Sequence, residues 1–189
     1  MISLRELIDK YGSDKNENEY TPIYHSVFNP NRNLNISLLE IGIGTMVTGA
    51  ESSMVGYGKN GYKPGASLRA FRDFFQNGKI YGGDVQQDCM FEEDRIKTFL
   101  FDSTKSDECD ESLGDLKFDI IIDDGLHTAE AQLATFKNLW SRLNSGGYYF
   151  IEDIAKHNPL YSQWKYVFSD IECEKWTNEH GNIIVFLKH

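Results

Sequence analysis

Two short stretches carry residues whose chemistry goes beyond packing. In IIIDDGLH (120–127), three branched apolar residues run straight into Asp123 and Asp124, with His127 close behind; in FIEDI (150–154), Glu152 and Asp153 follow an apolar run in the same way. Asp124, Glu152 and Asp153 packed together would repel one another unless protonated or bridged by a cation. An all-oxygen ligand set with no cysteine or paired histidine favours a hard ion, Mg2+ first, with manganese or calcium as alternatives. His127, whose unperturbed pKa is about 6.5, is the natural general base beside such a cluster. Of the paired aspartates, Asp123 ends the strand and Asp124 turns toward the site.

These residues need elements that bring them to one place. ISLLEIG (36–42), KIYGGDV (79–85), IKTFLFDS (96–103), FDIIIDD (118–124) and YYFIEDI (148–154) read as short strands, and each ends in or near an acid. Between them, SLRAFRDFFQNG (67–78) has Leu68, Phe71, Phe74 and Phe75 on one helical face with a serine start and a glycine stop, and a helical pattern runs from Thr128 to the NSGG at 144–147. The tail ECEKWTNEHGNIIVFLKH (172–189) predicts a closing hairpin. Strands alternating with helices imply a mostly parallel sheet covered on both faces, with ligands beyond the carboxyl ends of the strands. Neighbouring strands lie about 4.8 Å apart, so carboxylates just past the fourth and fifth strands can converge. Asp119, before the apolar core of its strand, is expected at the opposite rim.

At the first strand, Glu40 is followed by Gly42 and Gly44, whose missing side chains let a small ligand approach the backbone. A dinucleotide fingerprint needs a third small residue at position 47 and a helix opening at once; Val47 stands there and the helix starts some twenty residues later, which disfavours pyrophosphate. Asp84 is placed to accept hydrogen bonds from two ribose hydroxyls, and Asp102 with Ser103 to face an adenine; capping of the following helix is the alternative for each acid. The stretch 42–65, with glycines at 42, 44, 49, 56, 58, 61 and 65, exceeds ordinary connections and predicts a functional lid. At the N-terminus, Ile2, Leu4, Leu7 and Ile8 fall near helical spacing, and the segment 13–30, mixing turn formers with aromatics, reads as a polar connection over an apolar surface.

Composition narrows the classes. The 189 residues suit one domain, with 1–35 as N-terminal helix and lid segment and 36–189 as the core. Twenty-nine acidic against 19 basic residues give a formal charge of -10, and no basic stripe offers itself to phosphates, which argues against nucleic acid as a partner. Cys89, Cys109 and Cys173 follow no metal or disulfide spacing, in keeping with the cytoplasm. No stretch approaches the roughly 20 apolar residues of a membrane span.

LLEIGIG, IYGGDV, FDIIIDDGLH and GGYYFIEDI, in this order, resemble the class I S-adenosylmethionine-dependent methyltransferases, over most of the chain from about Leu38 onward. The segments KYGSDK, GxSL, IDDGxH and IED are similar to those of the magnesium-dependent sugar O-methyltransferases of antibiotic biosynthesis, the mycinamicin and elloramycin type. The resemblance implies a Rossmann-like α/β fold with a mostly parallel seven-stranded sheet, helices on both faces and a C-terminal antiparallel hairpin. It implies S-adenosyl-L-methionine and Mg2+ as cofactors, Asp124, Glu152 and Asp153 as metal ligands, His127 as base with Asp124 beside it, and Ser67 at the donor pocket. Ser13, Lys15 and Tyr20 either close over the methyl donor or belong to a surface loop. The acceptor implied is a hydroxyl of a sugar or glycoside. A catechol-type O-methyltransferase, a metal-independent small-molecule methyltransferase and a binding module that only keeps the donor pocket are the alternatives. A homo-oligomer is compatible with each of them.

Overall fold

The computed structural model describes residues 2–57 and 61–189; Gly58, in the proposed lid, lies outside the described residues. Eight strands form one sheet: β1 (Ser37–Ile41), β2 (Lys79–Asp84), β3 (Glu92–Glu93), β4 (Ile96–Leu100), β5 (Phe118–Asp123), β6 (Leu143–Ile154), β7 (Glu172–Thr177) and β8 (Ile183–Lys188). Their order is β3-β4-β2-β1-β5-β6-β8-β7. The five inner strands β4, β2, β1, β5 and β6 are parallel, while β8 and β7 add the antiparallel hairpin and β3 an antiparallel edge. The eighth strand, absent from the expected seven, is the two-residue β3, too short to leave a periodic signal.

β1 sits in the middle because it is apolar on both sides: Leu38 packs into one core and Leu39 into the other. Helices α1 (Leu4–Tyr11), α2 (Thr21–Phe28) and α3 (Ala66–Phe74) cover the Leu38 face; α4 (Ser106–Leu113), α5 (Ala129–Leu139) and α6 (Leu160–Val167) cover the other. A Ser3–Glu6 capping box opens α1, and Gly12 in the left-handed region closes it. Thr128 caps α5 on the Ala131 amide. Among the described residues no helix is long and apolar enough to cross a membrane.

Three local expectations give way. The segment read as a polar connection contains α2, where Tyr20, Tyr24 and Phe28, four apart, are all buried, and Pro22 in the first turn is compatible with the helix. α4 went unread because Cys109 and Leu113 are its only buried residues among acids. β6 begins at Leu143, so the glycines at 146 and 147 do not end an element; they form an irregularity in the β5–β6 register, between the pairs Phe118–Leu143 and Ile120–Tyr148.

The register positions the site. Asp123 pairs with Ile151, which sets Asp124 beside Glu152 one residue beyond the pairing. The Asp124 amide donates to the Ile41 carbonyl at 2.9 Å and the Gly42 amide to the Gly83 carbonyl at 2.9 Å, so the carboxyl ends of β5, β1 and β2 are joined at one rim. Asp119 lies at the other rim, accepting from the Ser37 amide at 2.8 Å.

Candidate active site

A cavity of about 820 Å³ opens at this rim. Its lining includes Ser13, Lys15, Gly42, Gly44, Ser67, Asp84, Asp102, Ser103, Asp124, His127 and Asp153, and residues 51–54, 57 and 62 of the glycine-rich segment border it. On the β1–β2 side, Gly42 and Gly44 both adopt positive φ (79° and 84°). A Cβ at Gly42 would overlap the Asp124 carbonyl, and one at Gly44 the Tyr62 hydroxyl, which itself donates to the Gly44 carbonyl at 3.1 Å. Asp84 is held by the Ile43 amide at 3.0 Å and the Gln86 amide at 2.9 Å, a fixed acceptor at the end of β2. Asp88, which the sequence reading passed over, fixes the turn after Gly44 through the Thr45 hydroxyl (2.6 Å) and the Met46 amide (2.8 Å). Asp102 accepts from Thr104, and Ser103 shares a hydrogen bond with Thr135 at 2.8 Å.

On the β5–β6 side the acids meet a buried lysine. Lys15, in a one-turn helix capped by Ser13, is 2% exposed, and its Nζ lies 2.8 Å from Asp124 Oδ2, 2.8 Å from Glu152 Oε1 and 3.0 Å from Glu40 Oε1. Burial alone would lower its pKa, but Asp124, Glu152 and Glu40 outweigh that and raise it well above the ordinary lysine value, so the ammonium stays charged. Glu152 is fully enclosed; burial pushes its pKa up to about 7, opposed by Lys15. The Tyr24 hydroxyl donates to Glu152 Oε1, and the Ser67 hydroxyl donates to Glu40 Oε2 at 2.5 Å.

The sequence set Asp124, Glu152 and Asp153 as three ligands of one ion. Here ligand atoms of Asp124, His127 and Asp153 all lie within 4.8 Å of one another, while Glu152 has both oxygens on Lys15, which it shares with Asp124, and its Oε1 accepts from Tyr24. Glu40 is buried at the end of β1, with Oε1 paired to Lys15 and Oε2 accepting from Ser67. Tyr20 is buried, and its hydroxyl, held protonated by burial and by Asp153, donates to Asp153 Oδ1.

His127 is one-third exposed, with Nε2 4.0 Å from Asp124 Oδ1 and 3.9 Å from Asp153 Oδ2. Burial lowers its pKa, favouring the neutral ring. Nδ1 is buried without a hydrogen-bond partner. Asp153 has φ 52°, a left-handed conformation that few non-glycine residues adopt. Of the aromatics on α6, Trp164 is buried in the core and Tyr166 is exposed. Tyr24 and Asp88, and the pairing of Lys15 with the rim acids, carry no local sequence signal; the four-residue spacing of Tyr20, Tyr24 and Phe28 was the one available clue.

No protein-family model matches the chain. It is 34% identical over 158 residues to 8-demethyl-8-alpha-L-rhamnosyl tetracenomycin-C 2'-O-methyltransferase of Streptomyces olivaceus, an alignment covering 81% of this chain and 36% of the relative. It is 35% identical over 136 residues to mycinamicin VI 2''-O-methyltransferase of Micromonospora griseorubida, covering 71% and 31%. The fold superposes with a TM-score of 0.79 and 25% identity on the MycE methyltransferase of the mycinamycin biosynthetic pathway, solved with Mg, SAH and mycinamycin VI, over 99% of this chain and 54% of that one. The chain thus spans about a third of the length of these curated relatives and about half of the solved structure. It has the class I methyltransferase fold, and its relatives are the sugar O-methyltransferases of macrolide and polyketide pathways.

Proposed function

We propose that the chain catalyses S-adenosyl-L-methionine-dependent, divalent-cation-assisted methyl transfer to a sugar or glycoside hydroxyl that has an oxygen neighbour, in the cytoplasm. The observation that carries this reading is that Asp124, His127 and Asp153 converge on the same cavity as Gly42, Gly44 and Asp84. The relatives named above act on sugar-bearing polyketides and macrolides, which supports the acceptor class.

Gly42 and Gly44 let the donor approach the β1 backbone, and Asp84 offers its fixed oxygens to ribose hydroxyls. The carboxylates at this rim are oxygen donors, which fit a hard ion such as Mg2+, and His127 beside them is kept for the proton. Asp124, Glu152 and Asp153 would hold the ion, with Lys15 as a further charge partner of Asp124 and Glu152. When bound, the ion lowers the pKa of the hydroxyl it contacts. His127, neutral at physiological pH, takes the proton from the attacking hydroxyl as the methyl group leaves the sulfonium. Residues 1–35 act as a strap over the core formed by 36–189, since Lys15, Tyr20 and Tyr24 all reach the rim acids from there.

The test is methyl transfer from radiolabelled S-adenosyl-L-methionine, with Mg2+, to a panel of deoxyhexose glycosides and simple catechols. Label on a glycoside hydroxyl is expected. Label on catechols alone makes the chain a catechol-type enzyme, turnover untouched by chelator makes it metal-independent, and donor binding without any transfer makes it a binding module.

A further inference from the structure

Two buried side-chain amides lie behind the acids and the base. Gln132 on α5 is 1% exposed and Asn158, between β6 and α6, is 4% exposed; neither is among the residues that line the cavity. Gln132 Nε2 donates to the Glu152 carbonyl at 2.9 Å, and its Oε1 accepts from Asn158 Nδ2 at 2.9 Å. The same Nδ2 donates to the His127 carbonyl at 3.2 Å, while Asn158 Oδ1 accepts from the Leu160 amide, at the start of α6, at 2.9 Å. The sense of this chain is fixed by its ends. The Leu160 amide can only donate and the two carbonyls can only accept, so each side-chain amide fits in one orientation.

Both carbonyls sit outside the regular pairing of the sheet. β5 pairs with β6 as far as Asp123 and Ile151, and β6 pairs with β8 at Ile151–Val185 and next at Ile154–Ile183. Glu152 and Asp153 therefore stand in a bulge, with one residue more on β6 than on β8. His127 lies in the loop between β5 and α5, and with its Nδ1 buried and unpartnered the ring takes its place from the backbone. Resting on the cation-assisted reading above, we propose that Gln132 and Asn158 are positioning residues: one chain of hydrogen bonds ties the carbonyl of the base to the carbonyl of a carboxylate ligand. The two amides thus set the spacing of the base loop and the carboxylate loop without touching substrate or ion. α6, whose first amide closes the chain, is joined to the same unit.

The experiment compares the whole wild-type chain with N158D, Q132L, the double variant N158D/Q132L and, as a control for stability alone, R142M. N158D keeps the oxygen that accepts from Leu160 but turns an acceptor toward two other acceptors, the His127 carbonyl and Gln132 Oε1. Q132L leaves the Glu152 carbonyl without its donor. R142M removes a buried side chain that donates to the Gly114 carbonyl and to Asp110, in the turn before β6. The readouts are thermal unfolding in chelator, Mn2+ binding followed by the electron paramagnetic resonance of free Mn2+, and steady-state turnover of the glycoside. N158D and Q132L are each expected to weaken Mn2+ binding and to lower kcat by about tenfold, the low end for outer-shell partners of a metal site, with the donor KM within about twofold of wild type. The double variant is expected to match N158D, because both substitutions break one chain. R142M is expected to melt lower and to keep the wild-type Mn2+ affinity and kcat.

Q132L decides the matter even where N158D does not fold, and the Mn2+ readout needs no acceptor. Wild-type Mn2+ affinity and kcat in Q132L, with only the melting point lowered, would make the amides packing groups and overturn the proposal. Losses that multiply in the double variant would overturn it too, as would an equal fall of Mn2+ affinity in R142M. Wild type that binds no Mn2+ overturns the cation reading and the proposal together, whereas wild type and variants that bind Mn2+ equally well overturn the proposal alone.

Discussion

Nε2 of His127 stands 3.9 Å from Oδ2 of Asp153, while Nδ1 of the same ring is buried with no hydrogen-bond partner. The ring is thus aimed from its Nε2 side, by Asp124 and Asp153, and not by a carboxylate or carbonyl behind it. A base held this way faces the point where the attacking hydroxyl must sit. Replacing His127 by Asn is expected to lower kcat by about 10²- to 10⁴-fold, the usual contribution of a positioned base. Donor affinity, read by calorimetry with S-adenosylhomocysteine, should stay unchanged, because the acids that the ring faces are Asp124 and Asp153 rather than Asp84. Loss of donor binding together with turnover would give His127 a structural role instead.

Asp153 offers a clean way to remove one charge. Asparagine tolerates the left-handed region better than other non-glycine residues, so it can keep φ 52°, and its amide oxygen can still accept from Tyr20. Asp153→Asn should therefore leave the melting temperature close to wild type while weakening Mn2+ binding by roughly tenfold or more, as expected for loss of a ligand charge. Chelator should suppress wild-type turnover and have little further effect on the variant. A variant that binds Mn2+ like wild type removes Asp153 from the ligand set.

Gly42 links the two halves of the rim. Its positive φ disfavours any L side chain by about 1–2 kcal/mol, and the carbonyl of Asp124 occupies the place a Cβ would take. Gly42→Ala should lower stability by more than about 2 kcal/mol and push the Asp124 loop outward. Both donor binding and Mn2+ binding are expected to fall in a urea-stable fraction of the protein. A variant that retains both affinities would show that the close approach of the β1 and β5 loops is dispensable.

What the sequence disclosed and what it withheld separate along one line. Runs such as LLEIG and DIIID announce buried parallel strands, because a strand covered on both faces is apolar at successive positions, and the acids that end them must then gather at one rim. Those features depend on local composition. The lysine that meets the acids does not: Lys15 lies in a polar stretch, and its burial follows only from the docking of α1 and α2 against the sheet. The same long-range docking pairs Glu152 with that lysine, so the sequence could list the carboxylates but not assign their partners. α2 was legible in principle from its aromatic spacing, and was obscured by the Asn, Glu and Pro residues around it.

The strap itself is fastened by Asp73 on α3, which accepts from the Tyr11 hydroxyl at 2.6 Å, Lys10 at 3.1 Å and Arg72 at 2.9 Å. Burial would raise the Asp73 pKa, but these donors outweigh it and hold the carboxyl below its ordinary value of 3.8. A carboxyl with a depressed folded-state pKa contributes stability that is fully present above its unfolded pKa and is lost as pH falls through the folded value. Asp73→Asn should therefore lower stability by about 1.5 kcal/mol at neutral pH, the low end for a hydrogen bond to a charged group. The gap between wild type and variant should begin to close near pH 4 and vanish below the depressed pKa. Urea midpoints of the two proteins at a series of pH values measure this directly, and a gap that stays constant down to pH 2 would mean that the carboxylate charge does not hold α1 against α3.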